Sequence, residues 1–122
     1  MKLEDLQVYQ LSMGIGEKVW DNVINWNYFD RDTIGKQLVR STDSVAANIS
    51  EGFGRFHYKD SKNFYYYARG SLYETKTFLI KANNRKLISN DEFNILLKEI
   101  KNIGIKLNNY IKSIGYTSRS TK

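Results

Sequence analysis

A chain of 122 residues without a single proline lacks the residue that most reliably interrupts a helix. Inside a helix proline costs roughly 3 kcal/mol, because it removes a hydrogen bond and its ring clashes with the preceding turn. The apolar residues recur with a helical period, and four segments are legible. In the first, residues 5–26, Leu6, Tyr9, Met13, Gly16, Trp20 and Val23 form one stripe at three- and four-residue spacing. Residues 25–30 then read as a turn. The second segment is predicted to start near Asp30 or Asp32, either of which can cap free amides. It carries Ile34, Leu38, Ser41, Val45 and Ile49, and Gly52 and Gly54 are expected to end it in left-handed conformations.

The third segment covers residues 58–86, roughly 43 Å at 1.5 Å per residue. Phe64, Ala68, Ser71, Thr75, Phe78 and Ala82 share its expected core face, flanked by Leu72 and Leu79. The fourth opens on a capping box of Ser89 and Glu92. Phe93, Leu96, Leu97, Ile100, Ile103, Leu107, Tyr110, Ile111 and Ile114 follow, and Gly115 is expected to stop it. Short connections between four amphipathic helices predict an all-α, antiparallel up-down-up-down four-helix bundle. The bundle is expected over residues 1–116, with residues 117–122 a disordered polar tail.

Composition removes much chemistry. Cysteine is absent and His57 is the one histidine, so disulfides, Cys-ligated metals, thiol nucleophiles and multi-His metal sites are ruled out. Di-metal carboxylate bundles need Glu-x-x-His pairs, and none occurs. No serine sits in a motif that supplies a general base. No metal, cofactor or catalytic residue is therefore expected, and the chain reads as non-enzymatic. No apolar run nears the ~20 residues of a membrane span. The start, Met1 to Asp5, lacks the apolar core of a signal peptide, so a cytoplasmic protein without membrane contact is expected.

The stretch from Gly35 to Glu74 carries a pattern. It includes Gln37, Leu38 and Arg40, then Asn48-Ile49-Ser50-Glu51-Gly52-Phe53-Gly54-Arg55, then Lys59, Asp60, Phe64 and Ala68-Arg69-Gly70-Ser71-Leu72. The opening Asp5-Leu6-Gln7-Val8-Tyr9-Gln10 belongs to the same pattern. It resembles the four-helix bundle proteins encoded in intervening sequences of bacterial 23S ribosomal RNA genes. The accessory variability determinants of diversity-generating retroelements are similar. The resemblance implies a ring-like homopentamer with a basic surface and, for the retroelement relatives, binding of nucleic acid and of a reverse transcriptase. Two positions depart from it: Ala46 stands where many relatives carry proline, and His57 where a Ser or Thr cap is usual.

Charge is unevenly distributed. Residues 1–52 carry 5 basic and 8 acidic groups, net −3; residues 53–86 carry 8 and 2, net +6; residues 87–122 carry 6 and 3, net +3. On the third segment Lys59, Lys62, Tyr66, Arg69, Tyr73 and Lys76 fall on one side at 100° per residue, nearly opposite the expected core face. Lysine and arginine neutralise phosphates, and tyrosine stacks on bases or packs in interfaces. With Arg55 extending it, this stripe is the candidate nucleic-acid surface for RNA or DNA. A second set, Asn48, Glu51, Ser71 and Glu74 with Arg55, is expected to form a structural polar network between the second and third helices, with Gly70 allowing close approach. Tyr65, Tyr66 and Tyr67 point about 100° apart, so at least one faces outward. The aromatic surplus favours self-association. The functional expectation is a homo-oligomer, pentameric by resemblance, that binds RNA or DNA through the third helix. The alternative is a structural or protein-interaction module, such as a reverse-transcriptase accessory subunit, without nucleic-acid contact.

Overall fold

The structure is a computed structural model that describes residues 1–120, with side chains described through residue 114. A 3-10 turn, Leu3–Asp5, leads into α1, Gln7–Val23. The second helix, α2, is continuous over residues 28–53 and has three parts: an entry turn Tyr28–Asp30, a π-helical turn Arg31–Gly35, and the α-helix Lys36–Phe53. The third, α3, is Tyr58–Asn84, and the fourth, α4, is Asn90–Ser120. The described residues contain no strand.

Each helix packs on its chain neighbour, and α4 returns to α1. Contacts between neighbours run in opposite senses. Between α1 and α4, Lys106 Nζ donates to Gln7 Oε1 at 3.4 Å, Lys18 pairs with Glu99, and Asn22 Nδ2 donates to Glu92 Oε1 at 3.2 Å. Between α2 and α3, the Thr75 hydroxyl meets the Ser41 hydroxyl at 3.2 Å, while Gly52 sits against Tyr65. Between α3 and α4, Tyr65 and Tyr110 pack edge to face at 5.2 Å, and Arg69 reaches Asn108. The enclosed core contains Val45, Ile49, Ala68, Leu96 and Leu107, all fully buried. This is a four-helix bundle.

The helical segments are those expected, but their faces and ends differ in detail. In α1 the buried stripe is Val8, Ser12, Ile15, Gly16, Val19 and Val23, whereas Met13 and Trp20 stand outward. Gly16 and Val23 lie on both stripes; elsewhere Val8, Ser12 and Val19 are buried one position before Tyr9, Met13 and Trp20, because the smaller side chains fit closer to the neighbouring helices. In α3 the centre of the buried face is Tyr65, Leu72 and Leu79, with Phe64, Ser71 and Phe78 at its edges. The α2 cap is Asn27 rather than Asp30 or Asp32: its Oδ1 accepts from the Asp30 amide at 3.0 Å, and its Nδ2 donates to the Asp30 carboxylate at 2.7 Å.

At the α4 start Ser89 Oγ accepts from the Glu92 amide at 3.1 Å, as the capping box requires. The Glu92 side chain instead accepts from Asn22 on α1, so the box is half used. Gly115 does not stop α4, which continues to Ser120, because one glycine weakens a helix by about 1 kcal/mol without breaking its hydrogen bonds. Of the polar tail expected over residues 117–122, residues 121–122 lie outside the described residues, as do all its side chains.

Gly52 and Gly54 end α2 with right-handed backbone, and no described glycine has positive φ. The left-handed position is Lys86, at φ 59° in the turn after α3. There the Leu87 amide donates to the Ala82 carbonyl at 3.0 Å, which closes the helix end in the manner usually built on glycine. Gly52 has a different task. An added Cβ would stand 2.7 Å from Tyr65 Cε1, so the missing side chain is what lets the Tyr65 ring lie on α2.

Candidate nucleic-acid interface

The buried face of α3 runs Ser61, Tyr65, Ala68, Leu72, Thr75, Leu79, Ala82. Arg69, Tyr73 and Lys76 each follow a buried residue by one position, so they border the core on the α4 side. From α4, Lys98, Lys101, Ile105 and Asn108 meet them at three- and four-residue spacing. The two rows enclose an open groove of about 580 Å³. Its floor is Leu72, Leu97, Ile100 and Gly104; its rim is Arg69, Lys76, Lys98 and Lys101, with Tyr73, Asn94, Ile105 and Asn108 between them.

No carboxylate lines this groove, and none of its four cations belongs to an ion pair among the described residues. Arg69 is held in place without being neutralised. Its Nη1 donates to Asn108 Oδ1 at 3.1 Å, and its guanidinium lies 4.8 Å from the centre of the Tyr66 ring. Tyr73 is 65% exposed and Ile105 53%. The groove therefore offers fixed positive charge around an apolar floor with one outward phenol.

The expected stripe is divided by the fold. Arg69, Tyr73 and Lys76 line the groove, and Tyr66 supports it from beneath Arg69. Lys62 lies half-buried two turns before Arg69 on α3. Lys59 belongs to a different cavity, of about 640 Å³ at the bundle end, shared with Phe56, His57, Tyr65 and Tyr110. Arg55 pairs with Glu51 one turn back and lies over the Phe64 ring at 4.6 Å, so its charge is already partnered. Lys98 and Lys101 escaped the sequence reading, which followed only the apolar stripe of α4. Their three-residue spacing, continued by Ile105 and Asn108, was the available signal.

Of the expected polar network the Glu51–Arg55 pair forms, but the set does not bridge α2 and α3. Asn48 Nδ2 donates to the Ser44 carbonyl within α2 at 2.9 Å, Glu51 is spent on Arg55, Ser71 contributes its carbonyl to Thr75 on its own helix, and Glu74 is exposed. Asn48, Glu51 and Ser71 find local partners instead, because each lies within reach of its own preceding or following turn. The polar contact that does cross from α2 to α3 is Ser41 with Thr75. Gly70 is exposed, with nothing within 4 Å of an added Cβ, so it is not a point of helix approach. Of the tyrosine triplet, Tyr65 is buried while Tyr66 and Tyr67 face outward.

Burial and then the neighbouring Tyr110 push the Tyr65 phenol upward, so it stays protonated. Burial, with Glu17 nearby, raises the Asp43 carboxyl from its usual 3.8. Among the described residues, no group of three or more His, Asp or Glu side chains is placed to hold a metal ion. No described helix is long and apolar enough to cross a membrane.

A family model described as 23S rRNA-intervening sequence protein matches residues 4–109. No match is found among curated proteins. A crystal structure of a protein of unknown function from the S23 ribosomal protein family of Bacteroides thetaiotaomicron superposes with a TM-score of 0.78 at 21% identity, over 86% of this chain and 98% of that one. At that identity the likeness speaks for the fold.

Proposed function

The chain belongs to the 23S rRNA-intervening sequence protein family, and from that premise we propose that it is a non-enzymatic, homo-oligomeric bundle that binds RNA or DNA through the basic face shared by α3 and α4. One observation carries the reading: four cations surround a groove without a carboxylate, in a chain whose first two helices are net acidic. Buried or paired cations serve the fold, whereas cations clustered with none to neutralise them repel one another. Such a cluster is an electrostatic footprint for an anionic partner. Arg69, Lys76, Lys98 and Lys101 make phosphate contacts in this reading, Tyr66 and Tyr73 stack or support, and Lys62 extends the face along α3. Lys59 and Arg55 take peripheral places.

A second reading rests on a separate surface. Trp20, Ile24, Tyr28 and Phe29 are exposed around the junction of α1 and α2, the first three bordering a hollow of about 410 Å³. Exposed aromatics of this kind mark protein interfaces, and they support assembly of copies, as a pentamer by family resemblance, or docking of a partner such as a reverse transcriptase. The two surfaces lie on different helices and are compatible.

Electrophoretic shift with duplex DNA, single-stranded DNA and ribosomal RNA tests the first reading. Binding at low salt that weakens linearly in log–log form with added salt is the expected result. A Lys76/Lys98/Lys101→Glu variant should lose it while keeping its oligomeric state. Absence of a shift with all three probes overturns nucleic-acid binding. Light scattering that finds a monomer at micromolar concentration overturns the assembly.

A further inference from the structure

Resting on that reading, we propose that the α3–α4 groove is built for an unpaired strand, with bases on its floor and phosphates on its rim, rather than for a duplex. The argument is the order of chemistry across the groove. A duplex presents phosphates outward, and a surface that grips it needs charge wherever it touches. Here the charges stand only at the edges, on Arg69 and Lys76 of α3 and Lys98 and Lys101 of α4, while the floor is Leu72, Leu97, Ile100 and Gly104, with the exposed Ile105 beside it. An apolar floor offers nothing to phosphate and a good deal to a base face.

Dimensions agree. Helices packed side by side, with axes about 8–10 Å apart, leave a narrow furrow over their seam, of a scale for the bases of one strand. The major groove of a duplex is alone about 12 Å wide, so a whole duplex stays on the rim. Tyr73, 65% exposed and flanked by cations, is a stacking platform of the kind that single-strand binders combine with a basic track. Arg69 adds a second planar group, already braced by Asn108 and Tyr66. Asn94, with Asn108, places amide donors and acceptors beside the floor, where base edges would arrive.

Two variants separate floor from rim. Tyr73→Ala removes the platform, with Tyr73→Phe as the control that keeps it. Gly104→Leu fills the floor: its Cβ meets Leu72 Cδ2 at 3.5 Å, an ordinary contact, and a circular-dichroism melt checks that the rest of the side chain leaves the fold intact. The measurement is fluorescence anisotropy on the full-length protein with oligo(dT) and oligo(U) of about 20 nucleotides and with a duplex of equal phosphate count, at about 50 mM salt and above.

The expected result is tighter binding of the single strands, with a salt slope near −0.7 per phosphate contacted. Tyr73→Ala should weaken them roughly 5- to 150-fold, the loss of one stacked base. Gly104→Leu should also weaken them, and both changes should weaken single-strand binding more than duplex binding. Equal binding of duplex and single strand, undisturbed by either variant yet abolished by Lys76/Lys98/Lys101→Glu, overturns the unpaired-strand inference and leaves the basic face standing. No binding of any probe overturns both.

Discussion

Gly52 on α2 and Tyr65 on α3 are locked together: a Cβ on Gly52 would stand 2.7 Å from Tyr65 Cε1, 3.0 Å from Tyr65 Cζ and 3.0 Å from the Ser61 carbonyl oxygen. Tyr65 has no room to retreat, since it is 1% exposed and its far side packs on Tyr110. In an open helix, glycine to alanine is a gain of about 1 kcal/mol. Here overpacking reverses the sign, at about 1–3 kcal/mol. Gly52→Ala should lower the thermal midpoint by roughly 4–12 °C, measured by circular dichroism.

Gly70 supplies the opposite case. It lies in the middle of α3, exposed, with nothing within 4 Å of an added Cβ. Gly70→Ala should therefore stabilise by about 0.5–1 kcal/mol in chemical denaturation, with an unchanged m-value. A loss of stability would show a contact there between copies of the chain.

Lys86 holds a left-handed backbone, φ 59°, that side chains adopt at a cost of roughly 1–2 kcal/mol. Lys86→Gly relieves it and keeps the Leu87 amide on the Ala82 carbonyl. Glycine's greater freedom in the unfolded chain offsets part of the gain. A net increase of about 0.5–1 kcal/mol in unfolding free energy is the expected outcome.

Tyr65 predicts an alkaline signature. Burial chiefly, then Tyr110, moves its phenol well above the ordinary value of 10. A raised acid favours the folded state while protonated, so that contribution is whole below the unfolded value and is lost as pH rises beyond it. In a spectrophotometric tyrosine titration, one phenol should ionise only as circular dichroism reports unfolding. Tyr65→Phe should delete that late step.

Asp43 carries the acidic counterpart. Its carboxyl is raised, first by burial and then by Glu17, so the folded chain holds that proton more tightly than the unfolded chain. The benefit is present in full below 3.8 and disappears as pH climbs through the folded value, leaving a small penalty at neutrality. Asp43→Asn should raise the neutral thermal midpoint by about 2 °C or less, a difference that vanishes near pH 3.

The helices were legible because proline is absent and apolar residues recur at helical spacing. Their exact faces were less so. Met13 and Trp20 are large and apolar, yet Ile15 and Val19 beside them take the core, since the partner helix decides which of two adjacent stripes fits. The turn chemistry misled for a related reason: the left-handed residue is a lysine, and Gly52 is small to admit a ring from another helix. Half of the candidate site was readable from α3 alone. Lys98 and Lys101 join Arg69 and Lys76 only through the packing of α3 on α4, a relation between segments that neither carries by itself. The polar set around Asn48 was legible in its Glu51–Arg55 pair but not as a bridge between helices, because Asn48 and Ser71 found partners within one turn of their own helices.

The π-helical turn at Arg31–Gly35 makes α2 unequal along its length. Such a turn holds one residue more than the α-helical turn it replaces. Its removal would restore an ordinary helix and swing everything before it by about 100° around the axis. That swing would carry Ile34 out of the core and lift Gly35 away from Val23 of α1, while Tyr28 and Phe29 would turn to a new bearing. A one-residue deletion within Lys36–Phe53 would likewise carry Leu38, Val45 or Ile49 out of the core. The extra residue thus acts as a phase-setter between two stretches of one helix, and the length of this turn is fixed by the packing on both sides of it.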